Sequence, residues 1–413
     1  MIVIKQRVVY LFFLIAFIIP TNLITLGPLS FLYTIDQYIK YLAMAVILFD
    51  SLKHIKILFK EYKFSLLSGL FGASFLVYFI YTPNVWNFTH LKFYLSIVEQ
   101  YYCVAFLVEY FLKKQTTFFV RYMYCYYFIL TWLNFLCMLI KPNGFYMIGE
   151  NPRYLIALDN GLILYMIPTV LLAVIYKYMF PKGLNSRELL TIVIVILSCI
   201  ISRSATAIIS IIVFVALLIF RPYFKPIMYR IMNIGYISLF YIVVVYLVLF
   251  KNVIGIFSDF IVNVLHRDPT MSSRTNLWQM GIEVLYNAPF YGMGYPRNSS
   301  EYLIEVYGNK FTSHNNILEI AMRGGVISVI AVVVLIVFVF IHTKKYEKDY
   351  ITYFTSASYA ALLIYYFSEV SLATAGWTFI LGIIANCNYL SMCVKEHKQQ
   401  CETNLKRRRC NHN

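Results

Sequence analysis

The chain has 413 residues, 61% of them hydrophobic, 18% aromatic and only 13% charged, and its mean hydropathy is +0.70. Soluble domains carry about 25% charged residues, so a water-soluble globular fold is excluded, as are a disordered chain and a protein held by one anchor. Lys and Arg outnumber Asp and Glu by 35 to 19, a net charge of +16. The basic residues sit in short clusters between apolar segments, where they orient helices and touch anionic headgroups; no nucleic-acid motif accompanies them.

Long apolar segments predict an all-α polytopic membrane protein with about 12 transmembrane helices (10–13). They fall near 8–26, 35–52, 64–82, 91–112, 117–140, 158–180, 188–201, 204–220, 231–250, 315–341, 350–368 and 371–394. The seventh and eighth almost touch at Ser202-Arg203-Ser204, which reads as a broken or tightly turned hairpin. With a cytoplasmic N-terminus, the clusters from Lys5 and Arg7 to Lys406–Arg409 put 24 of the 35 basic residues inside. An even number of spans with both ends in the cytoplasm follows. The first helix lacks a small-x-small cleavage site and is expected to be retained. The division expected is one multi-pass membrane domain, 1–394, and a basic cytoplasmic tail, 395–413. All eight cysteines fall in spans or in the tail, so no extracytoplasmic disulfide framework is expected. Cys401, Cys410 and His412 match no zinc spacing.

The irregular region is the outer segment 251–313 between spans 9 and 10, far longer than an ordinary helix connection. Met271–Leu285 within it reads as a partly amphipathic helix ending near Ala288-Pro289. Arg274 opens that helix, and a guanidinium fork suits phosphate oxygens. Pro289, Gly292 and Gly294 permit sharp turns or close backbone approach. His314 lies at the membrane boundary and is the natural general base near neutral pH.

Arg274-Thr-x-x-Trp278, Ala288-Pro-Phe-x-Gly292-x-Gly294, Ser313-His-Asn-x-x-Leu-Glu319 and Arg323-Gly-Gly325 follow one another in that order. Together they resemble the signature of the O-antigen polymerase and ligase family, which includes the Wzy-type polysaccharide polymerases. Ser202-Arg203-Ser204 is similar to the family's Ser-Arg element between two spans, and Leu158-Asp-Asn160-Gly161 to the segment opening a mid-chain span in capsule polymerases. The resemblance covers roughly residues 158–325. It implies a GT-C-like bacterial glycosyltransferase of the cytoplasmic membrane with an outward-facing site. Donor and acceptor would be undecaprenyl-diphosphate-linked glycans, with the bilayer, a chain-length regulator and a flippase as further partners. It implies polymerisation of repeat units into capsule, exopolysaccharide or O-antigen. In that scheme Arg274 and Arg203 meet the diphosphate, and His314 takes the acceptor proton in a direct, inverting displacement. Arg323, Asn315, Asn160, Arg153, Gly292 and Gly294 are the expected substrate-binding positions. No Asp-x-Asp occurs anywhere, so a metal-free reaction without cofactor is expected.

Plainer readings stand beside these. Arg203 is also placed to cap a hairpin at the headgroups, and Arg274 to pair with Asp268 or Glu283. His314 is also placed to cap a helix. Arg323, costly inside a span unless paired, stands four residues from Glu319. Arg267, Arg297 and Lys310 read as solvated loop surface, and Glu369 as a solvated span terminus. A ligase transferring glycan to lipid A core shares the donor chemistry. A flippase is the alternative outside enzymes; it calls for buried charge in both halves, and the sequence reads as sparse in that respect.

Overall fold

The computed structural model describes residues 2–25, 31–83, 86–148, 151–180, 185–223, 225–251, 274–294, 312–370 and 375–410. Within the long loop, 252–273 and 295–311 lie outside the described residues, and with them Arg267, Asp268, Ser272, Ser273, Arg297 and Lys310. The side chains of Cys401 and Cys410, and His412, lie outside them too.

The chain is an all-α polytopic membrane protein. Its first third holds α1 (Ile2–Ile18), α2 (Thr21–Thr25), α3 (Phe31–Lys53), α4 (Ile55–Glu61), α5 (Lys63–Ser74), α6 (Leu76–Tyr81), α7 (Phe88–Lys114) and α8 (Thr116–Ile140). A two-stranded antiparallel hairpin follows, β1 (Tyr146–Ile148) and β2 (Asn151–Arg153), with Met147 opposite Pro152. A 3₁₀ turn over Asn160–Leu162 then leads into α9 (Ile163–Met179). After α10 (Asn185–Ser202) and α11 (Ala205–Phe220) come α12 (Lys225–Ile231) and α13 (Ile234–Lys251). The loop contributes α14 (Arg274–Asn287), and the chain closes with α15 (Asn316–Lys344), α16 (Tyr350–Ser368), α17 (Ala375–Ala385) and α18 (Cys387–Cys410).

Among the described residues, each expected apolar segment contains helix, but the helices are unequal. Six helices among the described residues are long and apolar enough to cross a membrane, or seven if the bent pair α17–α18 counts as one span; α1, α11 and α13 are shorter apolar helices. The expected first span is divided, with α1 ending at Ile18 and α2 beginning after Pro20. Side chains at the interruptions supply what the backbone lacks. Ser204 accepts from the Ala207 amide, Asn315 from that of Leu318 and Asp349 from that of Ile351.

The core lies among α5, α7, α9, α15, α16 and α17, whose small and aromatic residues interlock; Gly72, for example, sits against Tyr101 and Val98 of α7. Outward-facing positions are apolar as well, such as Leu239, Phe240 and Ile330, as a bilayer requires. Buried charge is more abundant than the sequence reading allowed, because Asp36, Glu99, Glu109, Glu188, Glu319, Arg323 and Glu369 are all buried. Hydropathy averaged over a window hides single carboxylates that neighbouring helices enclose.

Interhelical loops meet at two ends of the bundle. At one, Asn22 donates to the Tyr154 carbonyl and the Thr206 and Ser368 hydroxyls are 3.0 Å apart. At the other, Lys113 reaches the Glu61 carbonyl and Lys395 pairs with Asp349 at 3.1 Å.

Candidate active site

The turn between α10 and α11, the start of α14, the start of α15 and the end of α16 converge at the first of these ends. Arg274 Nη2 lies 2.7 Å from Glu369 Oε1. His314 Nδ1 lies 3.7 Å from the other oxygen, Glu369 Oε2, and makes no hydrogen bond among the described residues. Glu369 is only 6% exposed. It is therefore not the solvated span terminus expected from the sequence but a buried carboxylate facing a guanidinium and an imidazole. Arg274 pairs with it, a partner other than the two the sequence offered, of which Asp268 lies outside the described residues.

The Arg203 turn belongs to the same corner. Thr206, in the first turn of α11, bonds Ser368, the residue before Glu369. Arg203 itself is exposed and borders a cavity of about 460 Å³ with Tyr154, Asp159 and Pro152. Burial raises the Asp159 carboxyl above its ordinary value; the Asn160 amide opposes the shift and the Glu369 charge reinforces it. Burial likewise raises the Tyr154 phenol, as does Asp159, while Arg203 works the other way. The carboxylates of Asp159 and Glu369 and the guanidinium of Arg203 thus share one electrostatic neighbourhood.

Backbone geometry marks two of these residues. Among the described residues, Arg203 (φ 57°) and His314 (φ 49°) are the non-glycine residues in the left-handed region. Such a conformation costs on the order of 1–3 kcal/mol and persists where surrounding structure over-determines it, characteristically at functional sites.

The remaining motif residues hold the corner together. Trp278 packs edge-on against Phe367 at 6.0 Å, and Gly281 lets α14 lie on Leu318. Helix α15 is broken at Gly325 (φ 61°), and residues 289–294 dock into the break. Met293 and Gly294 amides donate to the Met322 and Arg323 carbonyls at 2.9 Å, while Val326 donates to the Pro289 carbonyl at 2.8 Å. A Cβ at Gly292 would stand 2.6 Å from the Met322 oxygen, and one at Gly294 would collide with Tyr78 and Tyr94.

Arg323 is buried; it donates to Glu319 at 2.9 Å and to the Gly294 carbonyl at 3.4 Å. Glu319 also accepts from the Ser313 amide and hydroxyl, both at 2.8 Å. Asn315 caps α15 and donates to the Phe367 carbonyl at 3.0 Å. Arg153 reaches Asn22 at 2.7 Å and Thr25 at 3.3 Å, clipping the hairpin to α2, and Asn160 lies in the 3₁₀ turn beside the Arg203 cavity. The structure thus brings Arg274, His314 and Arg203 to one corner. It places Gly292, Gly294, Arg323 and Asn315 in the framework behind it, with Arg153 and Asn160 on the hairpin side.

Glu369 and Asp159 are the additions. The signal for Glu369 is its isolation, since it is the only charged residue between Asp349 and Lys395. Asp159 is visible as a carboxylate at the mouth of an apolar span.

An apolar groove of about 790 Å³ runs between α11, α13 and α16, from Arg230 and Ile231 at one end to Phe367, two residues from Glu369, at the other.

No curated protein matches the chain. Residues 190–333, from α10 through the break in α15, match the profile of the O-antigen ligase family. That stretch carries Arg203, Arg274, the docked glycines and His314, so the part of the chain that holds the candidate site is similar to the O-antigen ligase family.

Proposed function

We propose that the chain polymerises oligosaccharide repeat units carried on undecaprenyl diphosphate into a surface polysaccharide, by inverting, metal-independent transfer. The observation that carries this reading is the single buried carboxylate, Glu369, set between Arg274 and His314 with the Arg203 turn tied alongside. Two guanidinium groups are what a departing diphosphate needs in a partly dehydrated site. Glu369 engages one nitrogen of Arg274, and the fork has further donors for phosphate oxygens. The imidazole beside Glu369 is 39% exposed and can meet an acceptor sugar.

In this reading the acceptor hydroxyl oxygen attacks the anomeric carbon of the donor. The bond to the diphosphate oxygen breaks, and its electrons leave on the carrier diphosphate between Arg203 and Arg274. His314 takes the hydroxyl proton on Nε2. Glu369, facing Nδ1, orients the ring and balances its gained charge. The apolar groove ending at Phe367 supports a donor with a long hydrocarbon carrier. Residues 1–394 act as one membrane domain with 251–313 on the outer face, and both termini are cytoplasmic, with 395–413 as the basic tail.

The test is a gel of surface and carrier-linked glycan from a deletion strain complemented with tagged wild type, Arg274→Ala, His314→Ala or Glu369→Gln. Wild type restores a ladder. The Arg274 and Glu369 variants lose activity by about 10²–10³-fold and the His314 variant by about 10²–10⁴-fold, leaving single repeat units. Full ladders from the variants would sink the site. A null strain whose polymer forms but never reaches lipid A core would identify a ligase, and repeats trapped on the cytoplasmic side a flippase.

A further inference from the structure

At the opposite end of the bundle, where α15 finishes, a second cavity of about 380 Å³ lies among α4, α5, α7, α15 and the α17–α18 junction. The junction is bent by 57°, which sets Asn388 and Tyr389 of α18 at the cavity wall. With 29 residues in α15, the cavity stands about 40 Å along that helix from His314.

Its charges divide into two groups. Glu109 is fully engaged: one oxygen accepts from the Ser65 amide and hydroxyl at 3.0 and 2.5 Å, the other from Lys113 at 2.8 Å. Lys113 is equally engaged, donating to the Glu61 carbonyl as well and lying 4.9 Å from the Tyr62 ring centroid. These two neutralise one another in the floor. Lys60, Lys63 and Lys345 stand exposed at the mouth, and among the described residues none forms an ion pair. Glu61 is the acidic side chain set against them. The mouth is therefore cationic, while Phe64, Phe338 and Ile341 make the adjoining wall apolar.

That wall continues into the bilayer. Ile330, Val334, Val337 and Ile341 recur at spacings of four, three and four along α15, which puts them on one face, and all are exposed. A cationic mouth above a lipid-facing apolar stripe fits an amphiphile with an anionic head, whereas a soluble anion would have no use for the stripe.

We propose that this cavity holds the headgroup of an anionic phospholipid from the leaflet at this end, with its acyl chains along Ile330–Ile341. Phosphate oxygens meet Lys60, Lys63 and Lys345, each of which adds electrostatic attraction to an anionic membrane lipid. The site is independent of the transfer reaction, and its test needs no activity.

Full-length protein extracted in detergent is examined by native mass spectrometry for retained phosphatidylglycerol and phosphatidylethanolamine. Its thermal unfolding is then followed with added phosphatidylglycerol or inorganic phosphate. Wild type is expected to retain phosphatidylglycerol preferentially and to be protected by it. Lys60→Gln, Lys63→Gln and Lys345→Gln together should weaken both effects about tenfold or more. Lys53→Gln, Lys56→Gln and Lys398→Gln, the same charge change away from the cavity, should leave them intact. Equal loss in both triple variants, absence of preference in wild type, or equal protection by inorganic phosphate would each overturn the proposal.

Discussion

Arg203 and His314 hold left-handed backbones that their own side chains disfavour, so each position has a conformational optimum different from its chemical one. At Arg203 the two separate cleanly, because the side chain is exposed and its removal opens no cavity. Glycine there relieves steric strain while adding freedom to the unfolded chain, for a net gain of about 0.5–1 kcal/mol. Arg203→Gly is therefore expected to unfold at or above the wild-type temperature in detergent while losing polymer formation; a clear fall in that temperature would make Arg203 a structural residue. Asp159 offers a second handle. Its carboxyl is raised above the ordinary 3.8, first by burial, so the folded state holds its proton more tightly than the unfolded state does. Stability from this group is then greatest in acid and is lost as pH climbs from that ordinary value through the raised one. Wild type should fall in unfolding temperature relative to Asp159→Asn as pH rises towards neutrality, and parallel curves would show that the group does not titrate in that window.

At the scale of elements, the long loop and the broken helix form one unit. Residues 289–294 and the break at Gly324-Gly325 exchange backbone hydrogen bonds in both directions, and an alanine at Gly292 meets the backbone of α15 in addition to adopting a disfavoured φ. Gly292→Ala should cost about 2–4 kcal/mol, read as a lowered unfolding temperature. It should also reduce transfer by displacing α14 and its Arg274; wild-type stability would mean that the docked segment moves aside freely. The sequence makes the elements of this unit legible but not their roles. A glycine pair opening a span is visible, as is an amphipathic helix before a proline, because each depends on neighbouring residues. The docking depends on which carbonyls an interrupted helix exposes, and it shows only once the chain is folded. Glu369 is obscured for the same reason: its partner Arg274 is 95 residues away, and a lone carboxylate at a span end has the local pattern of a solvated one. Arg153 is obscured too, since its partners Asn22 and Thr25 lie in the first loop.

Across the described residues, hydropathy locates the long apolar helices because the bilayer imposes a length and a composition on each span, but not the polar second half of α18. It does not reveal that α5–α6 and α17–α18 are interrupted, or that carboxylates such as Glu109 and Glu319 are enclosed by charge partners. The two ends of the bundle differ in character. One gathers a buried carboxylate with a guanidinium and an imidazole, and the other presents lysines beside lipid-facing apolar residues. Helix α15 joins them, and its interruption bears on how the protein is made. The upper part of α15 cannot satisfy its own backbone around Gly325, so as a separate segment it would enter the bilayer with carbonyls and amides unpaired, at several kcal/mol. The residues that pair with them, 289–294, precede it in the chain and have left the ribosome before the interrupted turn emerges. Synthesis order therefore supplies the shielding turn ahead of the helix that needs it, and a permuted chain that reversed this order would present the insertion machinery with an unshielded kink.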